Sequence, residues 1–278
     1  MPKPPIGRDT HLCMSLAGRP GSFGSRFHNS LYEQLELDYV YKAFTTADLP
    51  AAIGGIRALG IRGCSVSMPF KEAVIPLLDA LAPSAAAIDS VNTITNDDGH
   101  LTGHNTDYGA VRQLVAAQLV AGRPLDRATR VVLRGSGGMA KAVAAALRDE
   151  GFADGLIVAR NHATGPALAR VCGYDWSPKL PSHADGAMLV NVSPLGMDGA
   201  DADAMAFPEP LVAACALALD AVALPADTPF LRAAERLGRP TVSGAAIIVL
   251  QALDQFILYT GVTPTPEQVA IATAATRT

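Results

Sequence analysis

From His11 onward, short runs rich in apolar and β-branched residues alternate with stretches whose apolar positions recur at helical spacing. HLCMSLAG is followed by a helix from about Arg26, YVYKAFTT by a helix through LPAAIGGIRALG, and GCSVSM by a helix from Lys71, before the β-rich VNTITND. This alternation predicts a sheet covered by crossover helices. A helix over YGAVRQLVAAQLVAG, about residues 108 to 121, and a polar turn, GRPLDRAT, lead into a second series. That series, RVVLRGSGGMAKAVAAALRDEG, LIVAR, AMLVNVSPLG and CALALDAV, predicts a second α/β unit. Two further helices are expected in GAAIIVLQALDQFILYTG and TPEQVAIATAATRT.

With 278 residues the chain has room for two domains of ordinary size. Apolar residues make up 49% and charged residues 17%, which excludes a disordered chain. A net charge of -4 with no Lys/Arg run excludes an electrostatic footprint for nucleic acid or a membrane surface. Small polar ligands are the expected partners. The segment MPKPPIGRDTHLC has no signal-like apolar core, and no apolar run approaches the roughly 18 residues of a membrane helix, so a cytoplasmic protein is expected. Cys13, Cys64, Cys172 and Cys215 lie far apart and read as reduced, buried small hydrophobes. Neither they nor the six histidines show metal-ligand spacing, so no metal is expected.

Gly135, Gly137 and Gly138 stand between the β-rich run Val131 to Arg134 and an Ala-rich helix. In a dinucleotide fold the first such glycine makes a tight turn and the next let the backbone approach a pyrophosphate, while the helix N-terminus supplies N–H groups. The pattern here is GxGGxA, and an ordinary strand-to-helix turn has the same needs. LIVAR then ends on Arg160, where NAD-specific folds place a carboxylate on the ribose. An arginine suits a 2′-phosphate, so NADP is favoured over NAD.

GSFGSRFHN, SVSMPFKEAV, SVNTI, GHNTDYGA, GSGGMAKAV, NVSPLGM, DTPFLRAA and SGAAIIVLQA together resemble the shikimate dehydrogenase family, most nearly its shikimate-dehydrogenase-like subgroup, from about residue 11 to 270. The resemblance implies an α/β enzyme of two domains, a substrate-binding domain over 1–107 plus 245–278 and a Rossmann-type NADP-binding domain over 108–244. It implies that Lys71 and Asp107 sit at the hydroxyl that is oxidised, Lys71 as the acid–base group and Asp107 as its partner. Whether Lys71 takes the proton or stabilises the alkoxide stays open. Substrate hydroxyls fall to Ser67 and Asn92, and Gln251 reaches the substrate from the C-terminal helix. Ser22 is matched to the substrate carboxylate. Gly135, Ser136, Gly137, Gly138, Met139, Ala140, Arg160, Ser193 and Gly244 are matched to the cofactor.

Two positions depart from the family pattern. Gly24 replaces one of two serines that hold the substrate carboxylate, although Ser25, Arg26 and the N–H groups opening the next helix offer an alternative anion site. Ala223 replaces a substrate-contacting tyrosine. His28 and Asn29 read as helix-start packing or capping. The expected function is therefore interconversion of shikimate, or a close cyclic hydroxy acid, with its 3-dehydro form, with weakened or altered recognition. The alternatives are a dehydrogenase for quinate, aminoshikimate or another cyclic acid, and a non-catalytic NADP-binding sensor. A homodimer is compatible with each.

Overall fold

The computed structural model describes residues 3–121 and 125–276; the part of the expected turn GRPLDRAT at residues 122–124 lies outside them. The chain forms two compact units, Met1–Thr106 with Val249–Thr278, and Asp107–Ile248. Asp107 therefore opens the second unit, one residue before the expected boundary, and the return to the first comes at Val249.

The first unit runs β1 (His11–Leu16), α1 (Phe23–Gln34), β2 (Tyr39–Phe44), α2 (Leu49–Ala58), β3 (Gly63–Val66), α3 (Phe70–Ala73), β4 (Ala80–Leu81), α4 (Pro83–Ala86), β5 (Thr93–Asp97) and β6 (His100–His104). The helix α5 (Thr106–Val120) begins at its end. Strand order is β2-β1-β3-β5-β6-β4, with β1 parallel to β2 and β3. The expected crossover sheet is interrupted by a hairpin, because β5 runs antiparallel to both β3 and β6. Asp98 and Gly99 have positive φ, 52° and 90°, the backbone that a tight hairpin turn requires and that Asp-Gly accepts readily. Alternation along β1 sends Met14 and Leu16 against α2 residues Ile53 and Ile56, and Cys13 against Phe27 and Leu31 of α1.

In the second unit β7 (Val131–Arg134), α6 (Gly138–Asp149), β8 (Gly155–Val158), α7 (Thr164–Cys172), β9 (Asp175–Ser177), β10 (Met188–Asn191), α8 (Glu209–Ala214), β11 (Leu217–Asp220), α9 (Pro229–Arg236) and β12 (Thr241–Val242) follow. The order β12-β11-β10-β7-β8-β9 is parallel throughout, the doubly wound arrangement whose topological switch lies between β7 and β10. The inner strands β8, β10 and β11 are buried along their length, as a sheet covered on both faces demands, whereas the edge strand β9 is not. The helix α10 (Gly244–Thr260) leads back to the first unit, and α11 (Pro266–Ala275), opened by a Thr265/Gln268 capping box, packs on α1.

Within the first unit α10 is fastened by Arg62. Its guanidinium donates to the carbonyls of Tyr259 (3.0 Å) and Leu258 (3.3 Å), which the helix end leaves without intrahelical partners, and to Asp97 (2.7 Å). Gly63 admits the Tyr259 ring, since a Cβ there would lie 2.2 Å from Tyr259 Cδ1. All four cysteines are free and buried, as expected.

His28 lies fully buried in this layer, stacked on Tyr41 at 4.4 Å and flanked by Phe256 and Tyr259. Packing, rather than capping, is its role. Neither ring nitrogen has a hydrogen-bond partner among the described residues. Burial pushes the imidazole down from 6.5 to about 3. Because the unfolded chain takes up this proton near 6.5 and the folded one only near 3, stability attributable to His28 is complete above pH 6.5 and falls as pH drops through that window. Urea unfolding between pH 7 and 3.5 should show His28→Phe losing less stability than the wild type, by up to about 1.4 kcal/mol per pH unit. Parallel slopes would contradict the assignment.

Candidate functional site

In SVSMPFKEAV, β3 stops at Val66 and the Ser67 N–H still bonds Leu16 O at 2.9 Å, so exposed Ser67 ends the strand side by side with β1. A cis Met68–Pro69 peptide follows, and the Phe70 N–H closes the turn on Ser67 O (2.9 Å). The expected helix from Lys71 is a single turn, Phe70–Ala73, succeeded by a 3-10 turn at Ile75–Leu77, where Pro76 has no N–H to continue a ladder. Lys71 is half-buried on that turn, and its carbonyl accepts the Val91 N–H at 2.8 Å.

The next residue, Asn92, is 1% exposed. Its Oδ1 accepts from Thr106 N (2.8 Å) and Thr93 Oγ1 (2.8 Å), while Nδ2 donates to Thr106 Oγ1 (3.1 Å) and Gln251 Oε1 (3.2 Å). The carboxamide thus ties the start of β5 to the residue before Asp107 and to α10. This anchoring is a stronger demand than the turn role a lone asparagine suggests. One helical turn beyond Gln251, buried Gln255 donates to Thr93 Oγ1 (3.1 Å) and accepts from Ser65 Oγ (2.7 Å), which in turn accepts the Tyr41 hydroxyl (2.8 Å). Sequence reasoning missed Gln255, Thr106 and Tyr41; the i, i+4 spacing of the two glutamines on an apolar helix was the available signal.

Ser22 is exposed before α1, and its side chain makes no capping bond. The helix opens at Phe23 rather than near Arg26, which alters the expected anion site: the Arg26 N–H is spent on Ser22 O (3.0 Å). Gly24 faces the Tyr41 ring, and a Cβ there would lie 3.2 Å from the phenolic oxygen. Asn29 holds β2, exchanging bonds with Tyr41 N and O (both 2.9 Å).

Asp107 is buried in the first turn of α5, at the start of the second unit. In that unit Gly135 has φ 129°, and a Cβ on it would sit 2.9 Å from Val192 Cγ2 across the switch point. Gly137 differs: its φ is -85° and nothing lies within 4 Å of a Cβ built there, so the fold itself does not require glycine. Gly138 opens α6; Met139 is half-buried and Ala140 fully buried behind it. The Ser136 and Thr164 hydroxyls meet at 2.7 Å, and Arg160 stands exposed two residues beyond β8. Ser193 donates both N–H and hydroxyl to Asn191 Oδ1 (3.1 and 2.6 Å), so it shapes the loop after β10. Asp220 accepts from Asn191 Nδ2, Val222 N and Thr228 Oγ1, which sets the path on which half-buried Ala223 lies; burial raises its carboxyl to about 6 against those three donors. Gly244 is forced by packing, since a Cβ would fall 2.2 Å from Val222 O.

Among the described residues no group of three or more His, Cys, Asp or Glu side chains gathers as for a metal, and no helix is long and apolar enough to cross a membrane.

The shikimate dehydrogenase substrate binding domain family matches residues 21–94. A shikimate dehydrogenase-like protein of Haemophilus influenzae is 50% identical over 274 residues, covering 98% of this chain and 99% of the relative. The shikimate dehydrogenase (NADP(+)) of Pelodictyon phaeoclathratiforme is 35% identical over 252 residues, covering 86% and 88%. Among solved structures, a shikimate dehydrogenase in complex with NADP+ superposes with a TM-score of 0.86 at 26% identity, over 100% of this chain and 98% of that one.

The two kinds of glycine give opposite expectations. Gly244→Ala drives a methyl into main-chain atoms and should cost about 1–3 kcal/mol in urea unfolding. Gly137→Ala should stay within about 0.5 kcal/mol of the wild type, yet weaken dinucleotide binding in titration calorimetry. Equal stability losses in the two variants would contradict this division.

Proposed function

The chain belongs to the shikimate dehydrogenase family, and from that premise we propose that it is an NADP-dependent oxidoreductase interconverting shikimate, or a close cyclic hydroxy acid, with its 3-dehydro form. The first unit is read as the substrate-binding domain and the second as the NADP-binding domain. The reading makes it a cytoplasmic enzyme of free small molecules. The observation that carries it is the fastening of the Lys71 carbonyl to Val91 and of Thr106, the residue before Asp107, to Asn92. Adjacent residues of one strand start thereby set the backbone of both proposed catalytic segments.

NADP would supply the acceptor for the hydride that leaves the carbinol carbon. Gly137 leaves open backbone for it, and Arg160 suits its 2′-phosphate. Lys71 exchanges the hydroxyl proton, with Asp107 as its carboxylate partner. Ser67 offers a hydroxyl at the strand end, and Ser22 one at the start of α1. Asn92, whose amide is already engaged, acts by orienting Thr106 and Gln251.

Recognition of shikimate is altered. Gly24 removes a hydroxyl and Ala223 a phenol, changes that together weaken binding by a few kcal/mol, roughly a hundredfold in affinity. The same two positions favour, as the second reading, an NADP-binding sensor without turnover.

NADP reduction measured with shikimate, quinate and further cyclic hydroxy acids, beside Lys71→Ala, separates these readings. Turnover of at least one acid, lost in Lys71→Ala, is expected, with a high KM for shikimate. A low-micromolar KM with ordinary turnover overturns the altered recognition, and NADP binding without Lys71-dependent turnover of any acid favours the sensor. Arg160→Asp should weaken NADP far more than NAD; an unchanged ratio removes the NADP assignment.

A further inference from the structure

Arg134 belongs to no motif read from the sequence. It is the last residue of β7, directly before Gly135, and pairs in parallel register with Val158 of β8. The Gly135 N–H continues the pairing to Val158 O at 2.9 Å, and the Ala159 N–H still bonds Ser177 O at 3.1 Å, so the chain stays extended up to Arg160. Side chains alternate along an extended chain. Val132 and Val158 both line the core under α8 and α9, which assigns Arg134 and Arg160 to that same face at the C-terminal ends of neighbouring strands.

Arg134 is half-buried and donates to the Ala206 carbonyl, whereas Arg160 is exposed. Among the described residues no Asp or Glu oxygen lies within 4.0 Å of either guanidinium, whereas Arg57, Arg62, Arg112, Arg148 and Arg236 each hold a carboxylate. Burial, and then the charge of Arg160, push the Arg134 guanidinium below its usual pKa, as two neighbouring cations without a counter-ion must. A carbonyl satisfies one N–H but neutralises nothing. The arrangement has the charge of an anion seat.

We propose that Arg134 and Arg160 form a two-arginine seat for the 2′-phosphate of the dinucleotide, Arg134 being the second determinant of phosphate preference beside the glycine loop. The inference rests on the NADP reading. A planar, always charged fork matches phosphate oxygens, and two forks on adjacent strands match a dianion better than one. NAD and AMP, which lack that phosphate, gain nothing from the pair.

Binding of NADP, NAD, adenosine 2′,5′-bisphosphate and AMP is measured by calorimetry for the wild type, Arg134→Gln, Arg134→Lys and Arg160→Gln. Arg134→Gln should lose about tenfold in affinity for the two 2′-phosphorylated ligands, roughly one 1.4 kcal/mol step, and stay within about twofold for NAD and AMP. Arg134→Lys, which keeps the charge, should recover part of the loss. If Arg134→Gln weakens all four ligands alike, or none, Arg134 serves only to hold Ala206 and the inference fails. Unchanged NAD and AMP binding certifies the fold of each variant. A wild type without preference for 2′-phosphorylated ligands overturns the NADP reading itself, whereas a preference lost in Arg160→Gln and kept in Arg134→Gln overturns the two-arginine seat alone.

Discussion

A buried carboxamide must find its hydrogen bonds inside the protein, and Asn92 finds them on Thr93, Thr106 and Gln251. These partners are distant in the chain, so satisfying one side chain brings the start of β5, the start of α5 and the face of α10 to one point. Lys71 depends on the same strand start. Its helix is a single turn, far too short to persist by its own hydrogen bonds, and the Val91 N–H holds its carbonyl in place. The position of the proposed acid–base group is thus a property of β5 more than of the helix that carries it.

Around that point the polar residues form a relay: Tyr41 to Ser65, Ser65 to Gln255, Gln255 to Thr93 and Thr93 to Asn92. Every link is neutral. Neutral donors and acceptors keep a buried network satisfied without the desolvation that charges would demand. The network also explains why Gly24 is accommodated, because the Tyr41 ring, held by Ser65 and stacked on His28, lies against it.

In the second unit the backbone decides. Gly135 and Gly244 are needed because Val192 and Val222 leave no room for a Cβ, whereas Gly137 faces open space. Three glycines that look alike in the sequence therefore answer to different demands. The strand ends beside them carry two arginines with no carboxylate of the described residues in reach, a local electrostatic imbalance.

The alternation of apolar runs and helical stretches determined two α/β units, the parallel strands β7, β8, β10 and β11, and the Gly135 loop, since apolar periodicity and strand-to-helix turns are local properties. Lys71, Asp107, Asn92, Gln251 and Arg160 are proposed through the order of their motifs along the chain, not through any local physical pattern. The hairpin at Asp98–Gly99 and the antiparallel pairing of β5 with β3 were not read from the sequence, because pairing is settled by which edge is free once the sheet assembles. Only the tertiary structure showed that Asn92 is an internal anchor, that Gln255 completes its network, that Arg62 closes the end of α10 and that Arg134 accompanies Arg160. Each depends on burial and on partners dozens to hundreds of residues away. Burial turns a polar side chain from a solvated surface group into one that must be paired.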